Sequence, residues 1–175
     1  HDDHIGDTVA IARRTGAQVV SNWEVGAWIE GHGVTNLHRQ HVGGGYHHPF
    51  GYVKFTIAHH GSSMPDGSYG GNPSGFLITA KDGKRAYFAC DTALFSDMQL
   101  YAGADFAALP IGDNFTMGPE DAFSAVTFLR PKVVMPCHFS TFPLIEQDGQ
   151  GWVDRVNRET DARAVLLRPG QGLEI

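Results

Sequence analysis

Cysteine is scarce in this chain: 175 residues contain two. Two cysteines cannot build a disulfide framework, so the default setting is a reducing cytosol. Long apolar runs are missing as well. No stretch approaches the roughly 18 residues needed to span a bilayer, which gives no reason to expect a membrane protein. Positive charge is in short supply, with 13 Lys+Arg against 19 Asp+Glu and a formal charge of −6. That balance lacks the basic stripe of a nucleic-acid binder. No internal repeat, low-complexity tract or linker divides the chain, so residues 1–175 are expected to form a single domain.

What is present fits a folded α/β domain. Hydrophobic residues are 42% and charged residues 18%, enough apolar side chain for a core and too little charge for disorder. The 22 glycines are well above the usual share of about 7% and point to many tight turns. Asp7–Thr15 reads as a helix closed by Gly16, followed by a strand at Ala17–Ser21, a helix at Trp23–Glu30 and a strand at Asn36–Val42. Tyr52–Ala58 alternates with period two. Gly75–Ala80 and Arg85–Cys90 read as a hairpin around Asp82-Gly83. Helices are expected at Phe95–Ala102, Pro119–Leu129 and Trp152–Glu159, and strands at Asp105–Ile111, Lys132–Pro136 and Ala164–Leu167. Hairpins come first and strand–helix alternation follows, which predicts helices outside one sheet or a pair of sheets.

Ten histidines are the other unusual feature. His32, His38, His41, His47 and His48 lie in polar or glycine-rich stretches and read as solvated or lightly packed. The other five sit differently. His1, Asp3 and His4 crowd four residues ahead of a predicted helix, offering imidazole nitrogens and a carboxylate to a small volume. His59-His60, Asp91 and His138 each follow an apolar strand. Strand ends are rigid supports for ligands or catalytic groups. Neighbours on a strand point to opposite sides, so one of His59 and His60 should face any such site.

The order H-x-D-H at His1–His4, A-x-H-x-S at Ala58–Ser62, D-T at Asp91-Thr92 and P-x-H-F at Pro136–Phe139 resembles the metallo-β-lactamase-fold hydrolases. More narrowly it is similar to the bacterial and archaeal metal-dependent hydrolases related to ascorbate-6-phosphate lactonase. Gly70–Phe76, Leu109–Gly112 and Phe115–Ala122 carry the same likeness, so it spans essentially the whole chain. The resemblance implies an α/β fold, the metallo-β-lactamase αββα sandwich, N-terminally incomplete. About two to four opening strands would lie upstream on the same polypeptide. It also implies two divalent metal ions, most simply Zn2+, with Mn2+, Fe2+ or Ni2+ as other occupants.

The family pattern is H-x-H-x-D-H, and His1, Asp3 and His4 match its last three members. One metal would then be held by an upstream histidine, His1 and His60. The second would be held by Asp3, His4 and His138, with Asp91 bridging both. His60 is chosen over His59 because Gly61-Ser62-Ser63 follow it. The implied activity is hydrolysis of a small ester, lactone or phosphoester by a bridging hydroxide. Asp91 and Asp3 are the catalytic carboxylates, Asp3 being a ligand that also assists proton transfer. The partner is a small-molecule substrate rather than nucleic acid or membrane, the location cytoplasmic, and a homo-oligomer is compatible with the sequence.

Other readings on the same fold are a non-catalytic metal-binding scaffold, a di-iron redox protein and a nuclease. The acidic balance opposes the last. Several positions stand apart from the family pattern. Cys90 replaces a common glycine, and Phe139 replaces a common tyrosine. Cys90 and Cys137 read as packed thiols turned away from the faces that Asp91 and His138 serve. Asp113 could either accept from a ligand histidine's ring N–H or repel an anionic substrate. Ser62, Ser63, Asn72, Asn114 and Thr116 read as loop residues near the site mouth. Met64 and Met117 are either pocket lining or core.

Overall fold

The chain begins with a single helical turn, α1 (Asp2–Ile5), rather than the expected loop. Asp2 and Asp3 occupy its first turn, where negative charge suits the helix dipole, and Gly6 at φ +40° ends it. α2 (Thr8–Thr15) closes on left-handed Gly16, whose N–H reaches the Ala12 carbonyl. β1 (Val19–Ser21) then runs into α3 (Trp23–Gly31), capped by the Asn22 side chain, which accepts from Val25 N–H. β2 (Leu37–Arg39) pairs in parallel with β1 as a two-stranded sheet. Ile5, Ala12, Ile29, Val34 and Met64 form the small core of this unit.

The larger sheet takes the rest of the computed structural model, which describes residues 1–175. β3 (Gly45–His48), β4 (Gly51–Ile57), β5 (Ser74–Ala80) and β6 (Arg85–Phe88) are antiparallel neighbours. β7 (Phe106–Pro110), α4 (Pro119–Leu129), β8 (Val133–Cys137), α5 (Gly149–Glu159) and β9 (Arg163–Ala164) complete it. β6 to β9 pair in parallel, giving the order β3-β4-β5-β6-β7-β8-β9. Alternation decides the two faces. Phe76 of β5 lines a cavity toward β1, while its neighbour Leu77 enters the main core with Tyr87, Leu109, Leu129, Val134 and Val156. α4 and α5 cover that second face, locked together where Trp152 Nε1 donates to the Pro119 carbonyl at 3.0 Å. The layers are therefore helices, small sheet, large sheet, helices.

Besides α1, and the shorter β2 and β9, three elements differ from the expectation. β3 is a strand, although Gly43–Gly45 and His47-His48 read as turn and polar loop. Three of its four residues are exposed, as on an edge strand, and only His48 is buried. Ser96–Tyr101 forms a 3-10 helix rather than an α-helix. α5 starts at Gly149, three residues before Trp152, because Asp148 accepts from Gly151 N–H and caps it.

His48 is a correction of a different kind. It is buried, packed against His38 (4.9 Å between ring centres), Tyr46 (5.2 Å) and Phe50 (5.5 Å, stacked), and its Nε2 has no hydrogen-bond partner. Burial, then the charge of neighbouring His38, holds its pKa below the ordinary 6.5.

Two expectations follow from this packing. Asn22 Nδ2 also donates to the carbonyls of Gly70 (2.6 Å) and Asn72 (3.3 Å), joining the small unit to the loop that precedes β5. Asn22→Ala removes cap and bridge together and should lower stability by about 1–2 kcal/mol in urea unfolding. Asn22→Asp, which keeps the cap acceptor but not the donor, should recover part of the loss. For His48, the folded state binds its proton less readily than the unfolded chain, so stability is lost as pH falls below 6.5. The fall in urea midpoint over that range should be smaller in His48→Phe.

Candidate metal centre

A carboxylate at the end of β6 is the focus of the site. Ala89 N–H reaches the Ala108 carbonyl, extending the pairing of β6 with β7. Cys90 then turns at φ +55°, a left-handed conformation that glycine adopts most easily. Asp91 follows, buried, with four imidazoles around it. His4 Nε2 lies 3.1 Å and His1 Nε2 3.2 Å from Oδ2, and His60 Nε2 lies 3.7 Å from the same oxygen. His138 Nε2 lies 3.6 Å from Oδ1.

Each histidine comes from a different local device. The helical turn of α1 puts positions i and i+3 on one side, so the His1 and His4 rings meet at 4.6 Å. The Asp3 carboxylate touches His1 Nδ1. His60 follows β4, and its ring lies 4.8 Å from His1. His59 is exposed and edge-on to Phe95 at 5.1 Å, so it serves the other side. Thr92 fixes that choice: its Oγ1 accepts from His59 N–H and donates to the Ala93 carbonyl, both at 2.9 Å. His138 ends β8 at φ +52°. A Cβ on Gly112 would stand 2.3 Å from the His138 carbonyl and 3.3 Å from its Nδ1, so only glycine lets β7 pass this close.

The electrostatics pull in opposite directions. Burial pushes the Asp91 carboxyl up, but the His4 hydrogen bond and the charges of His4, His138 and His60 together hold it below the usual carboxylate range. The His4 pKa is raised, first by that same hydrogen bond. Only His4 makes a well-formed hydrogen bond to the carboxylate, and His138 Nδ1 is buried with no partner. Three imidazole nitrogens crowd Oδ2, whose two lone pairs cannot serve all three as an acceptor. A cation among them would take the nitrogen lone pairs and the carboxylate charge together, so the donor set fits divalent metal. The tightest groupings are His1, His60 and Asp91, and His1, Asp3 and His4.

Asp3 thus stands with His1 and His4, and His138 reaches the centre from across Asp91. Beyond the histidines, a cavity of about 240 Å³ opens from the carboxylate between the two sheets. Ser62, Asn72 and Cys90 line it beside apolar Ile29, Phe55 and Phe76. Cys90 therefore faces the site side after all, because its left-handed backbone breaks strand alternation. Burial pushes its thiol to about 11 and that of Cys137 to about 12, which keeps both protonated without a metal.

Met64 and Met117 are core residues. Phe139 lies against Gly149 of α5, outside the cavity lining. The exposed Asp113 carboxylate accepts from Asn114 N–H, where the sequence allowed it a ring nitrogen. Thr92 and Gly112 enter the sequence pattern only as members of the Asp91-Thr92 and Leu109–Gly112 motifs, with no role of their own. A threonine after a strand-end aspartate and a glycine after an apolar strand were the available signals.

Comparison with known proteins agrees with this geometry. The family model described as beta-lactamase superfamily domain matches residues 1–139. A UPF0173 metal-dependent hydrolase of Thermus thermophilus is 48% identical over 177 residues, spanning 100% of this chain and 77% of that protein. One from Symbiobacterium thermophilum is 49% identical over 177 residues, spanning 98% and 76%. Among solved structures, the metallo hydrolase Igni18 of Ignicoccus hospitalis superposes with a TM-score of 0.86 at 35% identity, covering 98% of this chain and 74% of that one. The chain belongs to the beta-lactamase superfamily, with the metallo-β-lactamase fold. Within it, this is a metal-dependent hydrolase.

The geometry gives a direct contrast between neighbours. His60→Ala should lower bound metal measured by elemental analysis, whereas His59→Ala should leave it unchanged. Equal losses would reverse the assignment of the two rings.

Proposed function

We propose that the chain hydrolyses a small ester, lactone or phosphoester at a dinuclear centre. His1 and His60 would hold one ion, and Asp3, His4 and His138 the other, with Asp91 shared between them. The observation that carries this reading is the buried Asp91 carboxylate, which has four imidazole nitrogens within 3.7 Å, those of His1, His4 and His60 at Oδ2 and that of His138 at Oδ1. When bound, two divalent ions would supply Lewis acidity and a bridging hydroxide at neutral pH. Nitrogen and carboxylate donors with protonated thiols suit Zn2+ and also accept Mn2+, Fe2+ or Ni2+.

The residues divide the remaining work. Asp91 anchors the site because β6 and the Thr92 loop leave it little freedom. Asp3 is exposed and touches His1, so it can take up or release a proton at the water-facing side while orienting that ring. Ser62 and Asn72 offer polar contacts to the substrate, and Ile29, Phe55 and Phe76 keep the inner wall dry. A cavity near 240 Å³ suits a small molecule. No helix is long and apolar enough to cross a membrane, and both cysteines are free, which supports a cytoplasmic setting.

The test is removal and return of metal. Chelator treatment of the purified protein should abolish hydrolysis across a panel of lactones, aryl esters and phosphodiesters, and Zn2+ or Mn2+ should restore it. Undiminished turnover in protein shown to be metal-free would contradict the proposal.

A further inference from the structure

Two loops rise beside the metal centre, and each carries exposed apolar side chains. The first, residues 112–118, follows β7. The second, residues 138–147, follows β8 and begins with His138. Phe115 on the first is 48% exposed, and Phe142 and Leu144 on the second are 44% and 65% exposed. The centres of the two phenyl rings lie 6.2 Å apart, with the ring planes tilted by 51°. Exposed rings held as a pair are an unfavourable use of surface unless something covers them.

The loops are not loose. Gln147 Nε2 donates to the Gly112 carbonyl at 3.2 Å, clasping one loop to the other. Ser140 N–H reaches the Ile145 carbonyl at 2.7 Å, and Ser140 Oγ exchanges bonds with the Gln147 backbone. Met117 N–H reaches the carbonyl of Thr92, the residue next to Asp91, at 3.0 Å. Buried Met117 and Ile145 pin each loop from beneath. Four of the six non-glycine residues with left-handed backbone, Asp113, Asn114, His138 and Ser140, lie on these two loops. Such conformations persist only where the surroundings over-determine them, and they mark a built platform.

We propose that Phe115 and Phe142, with Leu144 beside them, are specificity-determining residues that grip an apolar arm of the substrate while its scissile group sits at the Asp91 centre. The occupant is argued from continuity. One loop starts at a residue facing the Asp91 carboxylate, and the other is bonded to the residue that follows Asp91. The inference rests on the hydrolase reading above and adds the substrate class: an ester, lactone or phosphoester carrying an aromatic or aliphatic arm on the side facing these loops.

The test uses metal-loaded full chain and matched substrate pairs that share a scissile bond and differ in the arm. Suitable pairs are γ-butyrolactone with γ-phenyl-γ-butyrolactone, p-nitrophenyl acetate with the hexanoate, and methyl with phenyl p-nitrophenyl phosphate. Phe142→Ala and Phe115→Ala should each raise KM for the arm-bearing member by about tenfold. They should leave kcat, the short member's KM, bound metal and the thermal midpoint within error. Phe142→Leu should restore most of the lost discrimination. Equal KM changes for both members, or none, would overturn the proposal. So would a change of oligomer mass in light scattering without a change in discrimination, which would make the patch a contact between copies. Absence of turnover for every pair by metal-loaded protein would instead overturn the underlying reading, and this inference with it.

Discussion

One buried carboxylate organises the molecule. Asp91 sits at the point where four separate pieces of chain arrive: the opening helical turn, the end of β4, the end of β6 itself and the end of β8. A carboxylate taken out of water needs compensation, and here it comes from four imidazoles rather than from a lysine or arginine. The choice matters chemically. Arginine would pair with the carboxylate and close the site, whereas imidazoles bring lone pairs that a metal can use. The same residue also joins the two halves of the fold, because His1 and His4 belong to the small helical unit while Asp91 and His138 belong to the large sheet.

Holding that centre imposes demands that the neighbouring sequence meets. Cys90 and His138, on either side of β7, both take left-handed backbone at strand ends. Gly112 between them has no room for a Cβ. Thr92 ties the loop after Asp91 to the loop after β4 through His59 N–H, which leaves His60 facing inward. Cys90, Gly112 and Thr92 are not assigned as ligands, yet each sets where a ligand points. The parallel half of the sheet, with its core of Tyr87, Leu109 and Val134 beneath α4, is the stiff base on which the strand ends stand.

Much of this was legible in the sequence, for identifiable reasons. α4 was readable to its ends because Pro119 and the acidic first turn mark its start and apolar spacing marks its face. The hairpin of β5 and β6 was readable from Asp82-Gly83. The family pattern, not periodicity, named the six residues His1, Asp3, His4, His60, Asp91 and His138 together, and the structure brings all six into one neighbourhood. What stayed hidden depended on tertiary contacts. β3 is an edge strand whose polar residues look like loop until His38 of β2 packs on it. The burial of His48 has the same origin. Cys90 reaches the cavity only because its backbone leaves the strand conformation, which no alternation rule foresees. Phe115 and Phe142 are ordinary loop residues until the loops after β7 and β8 are seen clasped together.

The central claim is that Asp91 is shared by two metal ions. The most direct measurement is the metal content of Asp91→Ala beside the parent chain, by native mass spectrometry, with circular dichroism confirming that both are folded. The account predicts that the parent loads two ions and that the variant loses both together. A folded Asp91→Ala that still binds its full complement, or that loses one ion and keeps the other at undiminished affinity, would contradict it.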